Sequence, residues 1–178
     1  MSSICEIRET AKYDLENIMH LWNNGEVMSF VGFPNGTDTT MEEMSDWFEE
    51  LKNSPNKRHY SIYTDEIEYC GETFYNVINA EHRTACLDIK LLPAAQGKGI
   101  AQTALKFAIN DAFNIGNAER VYVEPHPDNH RAWALYERLG FKSKPRPKYL
   151  YDADTYIEIT KDEWNNKRCR KFGAVFAQ

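Results

Sequence analysis

At 178 residues, with 42% hydrophobic and 27% charged side chains, the chain has the length and make-up of a single globular domain over residues 1–178 and is short for two. A formal net charge of -6 argues against a grip on nucleic acid through its phosphates and is compatible with a cationic small molecule or peptide as partner. Cys5, Cys70, Cys86 and Cys169 stand far apart without a C-x-x-C pair, no basic-then-apolar leader opens the sequence, and no run reaches the ~18 apolar residues of a membrane span. The expectation is a cytoplasmic protein with free thiols, no zinc ribbon and no membrane segment.

In chain order, residues 4–8 read as a first strand, and Asp14 stands as a helix cap before Leu15, Ile18, Met19 and Trp22, which share one face at helical spacing. Thr40 and Glu43 form the capping-box pattern of a second helix, with Met44, Trp47, Phe48 and Leu51 as its stripe. The connection between them, residues 25–39, is rich in Gly, Pro and Asn yet carries Met28, Phe30, Val31 and Phe33. Two readings stand: a lid over the core, or an acceptor-site wall with Phe30 and Phe33 as substrate-binding side chains.

Residues 59–64, 69–78 and 84–92 read as strands separated by turn-like Asp65-Glu66 and Asn79-Ala80-Glu81, and these short connections predict an antiparallel meander. From Gly97, the residues Ile100, Ala101, Ala104, Leu105, Ala108, Ile109, Ala112 and Phe113 recur as adjacent pairs, the stripe of a helix lying on a sheet. Residues 120–124 form a short strand that a strand-helix-strand unit satisfies by parallel pairing. Pro125 and Pro127 end it. Asp128 or Asn129 then caps a helix with Ala132, Leu135, Tyr136 and Leu139 on one face, stopped by Gly140. Residues 149–151 and 155–159 flank Asp152-Ala153-Asp154 as a closing hairpin, and Thr160 with Glu163 caps a short helix. Within residues 160–178, Lys167, Arg168, Arg170 and Lys171 make a basic tail, read as a solvated end or as a contact for phosphate or an acidic partner.

Two segments carry chemistry. The first, LLPAAQGKGIA from Leu91 to Ala101, is a strand running into Pro93 and then Gln96-Gly97-Lys98-Gly99 opening a helix without bulky side chains. Helix starts hold unpaired N–H groups and a partial positive charge, so small residues there let a pyrophosphate reach the amides; a tight turn with close helix packing is the competing reading. Lys98 is followed by Gly99 where a Walker A loop needs Ser or Thr, and no G-x-G-x-x-G occurs there. The second segment is NHRAWALYERLGF, residues 129–141, in which Tyr136 follows Asn129 by about two helical turns, so both can address one groove. On residue type alone Tyr136 reads as a core tyrosine and Asn129 as a cap. His126 and His130 share a metal-like spacing, but no H-E-x-x-H is present and Pro127 interrupts the helix, so no metal is expected.

With Gln96, Gly99 and Ala101 matching (Q/R)-x-x-G-x-(G/A), and Asn129, Tyr136, Gly140 and Phe141 matching N-(x6)-Y-(x3)-G-F, the chain resembles the GNAT superfamily of acyl-CoA-dependent N-acetyltransferases. The likeness is to the branch of ribosomal-protein N-terminal and small-amine acetyltransferases; it spans about residues 4–159, with the detailed match in residues 87–141. It implies an α/β (α+β) fold: a mixed, mostly antiparallel sheet of about six to seven strands, fourth and fifth splayed, helices on both faces. It also implies acetyl-CoA as cosubstrate, with pantetheine along Leu91 and Leu92 and pyrophosphate on the amides of Gln96, Gly97, Lys98, Gly99, Ile100 and Ala101. Asn129 would position the donor and Tyr136, a phenol of pKa ~10, would serve as general acid to the departing sulfur.

The implied reaction is direct attack of a primary amine, from a polyamine, an aminoglycoside or a peptide N-terminus, in a ternary complex. Many family members carry Glu early in the fourth strand, where this chain has Cys86. Asp88, on the same strand face, is the first candidate base, followed by Glu124 and then Glu81, with a water relay as the alternative. A non-catalytic acyl-CoA-binding regulatory module is the competing function. Homodimer pairing through edge strands or the closing hairpin is compatible with the pattern.

Overall fold

A computed structural model describes residues 5–173, with side chains through residue 167, so Ile4 and the side chains of Arg168, Arg170 and Lys171 lie outside the described residues. The strands are β1 (Cys5–Glu9), β2 (Lys57–Thr64), β3 (Glu68–Asn79), β4 (Thr84–Leu91), β5 (Arg120–Val123), β6 (Lys142–Ser143) and β7 (Ile157–Thr160), paired in the order β1-β2-β3-β4-β5-β7-β6. The α-helices are α1 (Leu15–Trp22), α2 (Gly25–Met28), α3 (Met41–Lys52), α4 (Ile100–Asn114), α5 (His130–Leu139) and α6 (Lys161–Gly173). The chain forms two compact units, Met1–Asn76 with Leu87–Asn110 and Val77–Cys86 with Asp111–Gln178, so neither is one continuous stretch.

In the first unit β1 pairs antiparallel with β2, and β2 antiparallel with β3. Side chains of a strand alternate between faces, and this sorts the core. Tyr63 and Tyr69 pack with Leu15, Ile18, Leu21, Met44 and Phe48 of α1 and α3, whereas their neighbours Ile62 and Cys70 pack with Leu91, Ala95 and the α4 residues Ile100 and Ala104. Helices therefore cover both faces of the sheet. Gly71 has φ +149°, and a Cβ there would sit 2.1 Å from the Lys90 carbonyl oxygen, so only glycine lets β3 approach β4 at this point.

Two local expectations are corrected here. Asp14 stands at the N-terminus of α1 but makes no side-chain cap bond. Its carboxylate is turned inward, where it accepts from both Arg8 Nη atoms at 2.8 and 2.9 Å, from the Ala11 amide at 2.8 Å and from the Tyr63 hydroxyl at 2.5 Å. An arginine on the adjoining strand outcompetes the helix amides because a bidentate ionic pair is the stronger bond. Residues 25–39 are also not all loop: Asn24 Oδ1 accepts from the Glu26 and Val27 amides and starts α2, which leads into a 3₁₀ turn, Ser29–Val31. The capping box of α3 is as read, with Thr40 and Glu43 bonding each other's amides.

In the second unit β4 pairs parallel with β5 from Thr84↔Arg120 to Cys86↔Tyr122, and β5 pairs antiparallel with β7. The pairing to β5 stops at Cys86 although β4 runs on to Leu91, as splayed strands require. The expected hairpin of residues 149–151 with 155–159 does not form. β7 takes β6 as its outer partner, Lys142↔Glu158 and Ser143↔Ile157. Pro145 and Pro147 lack the N–H groups a ladder needs, and Arg146 gathers the carbonyls of Tyr151, Ala153 and Thr155 around one guanidinium, holding this stretch as a compact loop. Tyr149 accordingly stacks on His82, ring centroids 4.0 Å apart, and its hydroxyl meets Thr84 Oγ1 at 2.8 Å and Arg120 Nη1 at 2.7 Å. Thr160 and Glu163 cap α6 as read.

Candidate active site

The Leu91 to Ala101 segment lies in the first unit and forms an open glycine turn between β4 and α4. After β4, the Leu92 N–H donates to the Cys70 carbonyl at 2.9 Å, and the Leu92 carbonyl accepts the Ala95 amide at 2.9 Å, closing a 3₁₀ turn, Pro93–Ala95. The Gln96 amide donates to Pro93, and its side-chain Nε2 reaches back to the Leu91 carbonyl at 3.1 Å. The Leu91 and Leu92 carbonyls and the Leu92 amide at this strand end therefore already have partners within the chain. Gln96 earns its place in the motif by tying the turn to the strand it leaves.

Gly97 and Gly99 have φ +77° and +80°, and no heavy atom lies within 4 Å of where a Cβ would stand at either. Backbone conformation, not crowding, thus calls for glycine, and the space beside the turn is open. Helix α4 begins at Ile100, later than Gly97, with Thr103 N–H donating to the Gly99 carbonyl at 3.2 Å. First-turn amides of a helix have no intrahelical partner, so an anion seated in that space meets donors and the positive end of the helix dipole. Buried Ala95 and Ile100 pin the turn at both ends. Placing an L-residue at these angles costs about 1–2 kcal/mol, so Gly99→Ala is expected to weaken acetyl-CoA binding about tenfold by calorimetry while the fold survives.

Asn129 and Tyr136 lie in the second unit on one helix. Asn129 Oδ1 accepts the Ala132 amide at 3.1 Å as N-cap of α5, and Trp133 Nε1 donates to the His126 carbonyl at 3.1 Å, closing the preceding turn onto the helix. At the other end Gly140 is left-handed, φ +104°, and the Phe141 amide returns to the Tyr136 carbonyl at 3.0 Å. That turn lays the Phe141 ring 5.4 Å from the Tyr136 ring in an edge contact, and Tyr136 is buried. The Y-(x3)-G-F spacing thus has a local cause: the glycine stop folds the phenylalanine back to fix the tyrosine ring. Glu124, also in this unit, meets Arg146 Nη1 at 2.5 Å and anchors the 146–155 loop.

On residues 25–39 the apolar groups divide. Met28 is buried, whereas Phe30, Val31 and Phe33 are 45%, 44% and 48% exposed. The segment is fastened at its base: Asn23 Oδ1 accepts the Thr39 amide at 2.7 Å and the Thr37 hydroxyl at 3.1 Å, and Thr37 N–H donates to the Trp22 carbonyl at 3.0 Å. Met28 belongs to the buried core, and Phe30 and Phe33 stand partly exposed.

Asp88 is the half-exposed end of a polar cluster in the first unit that residue patterns did not reveal. Its Oδ1 accepts the Ile89 amide at 2.8 Å and its Oδ2 meets Lys90 Nζ at 2.5 Å. Lys90 in turn lies 3.4 Å from Glu72, whose carboxylate also takes the Trp22 indole N–H at 2.8 Å and approaches His59 Nε2 to 3.1 Å. Thr10 Oγ1 meets His59 Nδ1 at 2.7 Å and Ser61 Oγ at 2.9 Å, ending the chain. Burial alone would raise the Glu72 pKa, but His59, Lys90 and the Trp22 bond lower it to about 2. Burial likewise works against the Lys90 ammonium, and Asp88 and Glu72 reverse that and hold it charged. The sequence signal was Glu72 itself, a carboxylate at an interior position of strand Glu68–Asn79. Among the described residues no group of three or more His, Cys, Asp or Glu is placed to hold a metal ion.

The chain thus combines a mixed sheet whose parallel pair opens after Cys86, a strand that ends in an open glycine turn, and a capped helix that carries a buried tyrosine. The family model for the acetyltransferase (GNAT) domain matches residues 5–142, and the chain belongs to that family. It is 30% identical over 148 residues to a spermidine N(1)-acetyltransferase of Vibrio cholerae, covering 79% of this chain and 80% of the relative. It is 29% identical over 136 residues to the spermidine N(1)-acetyltransferase of Escherichia coli, covering 76% and 72%. The crystal structure of the Vibrio cholerae spermidine N-acetyltransferase in complex with CoA and spermine superposes with TM-score 0.78 over 91% of this chain and 98% of that one at 24% identity, which shows the shared fold. The chain is therefore an acetyl-CoA-dependent N-acetyltransferase. No helix among the described residues is long and apolar enough to cross a membrane.

Proposed function

We propose that the enzyme acetylates a primary amine of a polyamine, with Asp88 as the base and Tyr136 as the acid. The observation that carries the acceptor is the match to two spermidine acetyltransferases over about three-quarters of the chain. The net charge of -6 supports a polycationic acceptor as well. Exposed Phe30 and Phe33 fit the methylene runs between its ammonium groups. A cytoplasmic site of action belongs to the same reading.

Acetyl-CoA supplies the acetyl group as a thioester, held by its pyrophosphate on the Gly97 to Ala101 amides, the Gln96 amide being taken by the Pro93 carbonyl, and oriented by Asn129. An amine of pKa near 10.4 is mostly protonated at neutral pH and must lose a proton to become nucleophilic. Asp88, half-exposed and anchored by Lys90, receives it. As the N–C bond forms and the C–S bond breaks, the Tyr136 hydroxyl gives its proton to the leaving sulfur and the acetylated nitrogen loses its second proton to solvent; Asp88 then releases its proton and Tyr136 regains one from solvent, so each turnover releases one proton net.

Acetyl-CoA consumption across spermidine, spermine, an aminoglycoside and a peptide with a free N-terminus tests this. Spermidine or spermine should exceed the peptide at least tenfold in kcat/KM. Tight acetyl-CoA binding without turnover on any amine would replace the enzyme reading by the acyl-CoA-binding regulatory module.

A further inference from the structure

We propose that Glu72 is a positioning residue for the acyl transfer: acting through Lys90, it sets the placement and charge of Asp88, which this chain uses in place of a strand-four glutamate. The inference rests on the Asp88 base proposed above and goes beyond it by assigning roles to two residues that touch no substrate.

The argument starts from what the strand lacks. With Cys86 at the usual carboxylate position, the next side chains on that face of β4 are Asp88 and Lys90, because strand side chains alternate. An aspartate next to a single lysine would be held as a tight ion pair and be a poor proton acceptor, since the whole ammonium charge opposes its protonation. Here the ammonium is divided. Lys90 Nζ lies 2.5 Å from Asp88 and 3.4 Å from Glu72, so two carboxylates share one cation. Glu72 is 1% exposed and Asp88 is 32% exposed in its side chain, so the buried carboxylate is the fixed anchor and the outer one faces the medium.

The groups that face this pair come from every neighbouring element. β2 supplies His59, 3.1 Å from Glu72; β3 supplies Glu72 and Tyr69; β4 supplies Lys90 and Asp88; α1 supplies the Trp22 indole; and α3 supplies Trp47, edge-on to His59 with centroids 4.9 Å apart. Trp22 and Trp47 also meet edge to face at 5.0 Å, so the anchor is rigidly walled. Lys90 further lies 5.6 Å from the Phe74 ring centroid, which limits where its long side chain can go. Counting Glu72 and Asp88 against Lys90, these three groups carry one net negative charge, suited to drawing a proton from an ammonium.

This division gives opposite signs to two substitutions. Lys90→Met removes the cation, making Asp88 easier to protonate, so the acidic limb of amine kcat/KM should move up by about one pH unit. Glu72→Gln keeps the shape and the Trp22 bond but leaves the whole ammonium to Asp88, so the limb should move down, by about half a unit or more. Loss of packing would shift neither limb in this paired way. Lys90→Arg and Glu72→Asp retain the charges and should return the limb to its wild-type position.

The experiment is the pH dependence of amine kcat/KM for wild type, these four variants and Asp88→Asn, with acetyl-CoA Kd and Tm measured on each. Acetyl-CoA Kd within about twofold of wild type identifies a folded variant, and Lys90→Gln and Glu72→Ser, which make the same charge changes, serve if Met or Gln does not fold. Opposite shifts support the inference. If Asp88→Asn abolishes the limb while Lys90→Met and Glu72→Gln leave it in place or move it the same way, the positioning role is overturned and the Asp88 base stands. If Asp88→Asn keeps both limb and rate, the base itself is overturned and the positioning role with it.

Discussion

Tyr136→Phe is expected to lower kcat by about 10²- to 10³-fold while acetyl-CoA KM stays within about threefold, because general acid–base catalysis contributes on that scale and the phenol acts only as the sulfur departs. The substitution isolates the hydroxyl. The ring's edge contact with Phe141, 5.4 Å between centroids, is preserved in phenylalanine, and so is the left-handed Gly140 stop that sets it. A buried hydroxyl that loses its bond costs about 1 kcal/mol, so Tm should fall by only a few degrees for a chain of this length. Steady-state kinetics with varied acetyl-CoA, beside a thermal melt, separates the outcomes. A rise in KM with kcat unchanged would make Tyr136 a binding residue, and unchanged kcat and KM would remove it from the chemistry.

That test concerns a residue legible before any coordinates, and the reason is instructive. Tyr136, Gly140 and Phe141 sit within one helical turn and its stop, so their relation is fixed by local geometry that sequence spacing records directly. The same holds for Gln96, Gly97 and Gly99, for the Thr40–Glu43 box and for the strand and helix order. What sequence did not carry is pairing at a distance. Nothing near Asp14 announced that Arg8 and Tyr63 would claim its carboxylate from the helix start, and nothing near Asp88 announced Glu72 and His59 from two other strands. The closing hairpin failed for a related reason. Alternation in residues 149–159 carries no mark of Pro145, Pro147 or the carbonyls that Arg146 collects, and β7 pairs with β6 instead.

Asp14→Ala should be among the most destabilising single substitutions in the first unit, by about 3–5 kcal/mol, because breaking a buried ionic pair from one side leaves its donors unpaired. The Asp14 carboxylate is fully buried and takes bonds from Arg8, the Ala11 amide and Tyr63, so it joins β1, β2 and the entry to α1 at one point. Arg8 also lies over the Tyr13 and Tyr63 rings, 4.7 and 4.6 Å from their centroids, and loses its orientation with the carboxylate. Thermal denaturation should show a Tm lower by about 10 °C or more. The pH dependence gives the loss a second signature. Burial alone would raise the Asp14 pKa, and the Arg8, Ala11 and Tyr63 bonds outweigh it and hold the carboxyl below the usual range. With the folded value depressed, the stabilisation is complete above the unfolded pKa of ~3.9 and is lost as pH falls through the folded value. Glu72 and Glu163, both held near 2, impose the same slope on wild type and variant alike. The difference between the two stability curves therefore isolates Asp14: it should be constant at neutral pH and shrink only below about pH 4. A difference that persists undiminished into strong acid would mean that the loss comes from packing and not from the carboxylate.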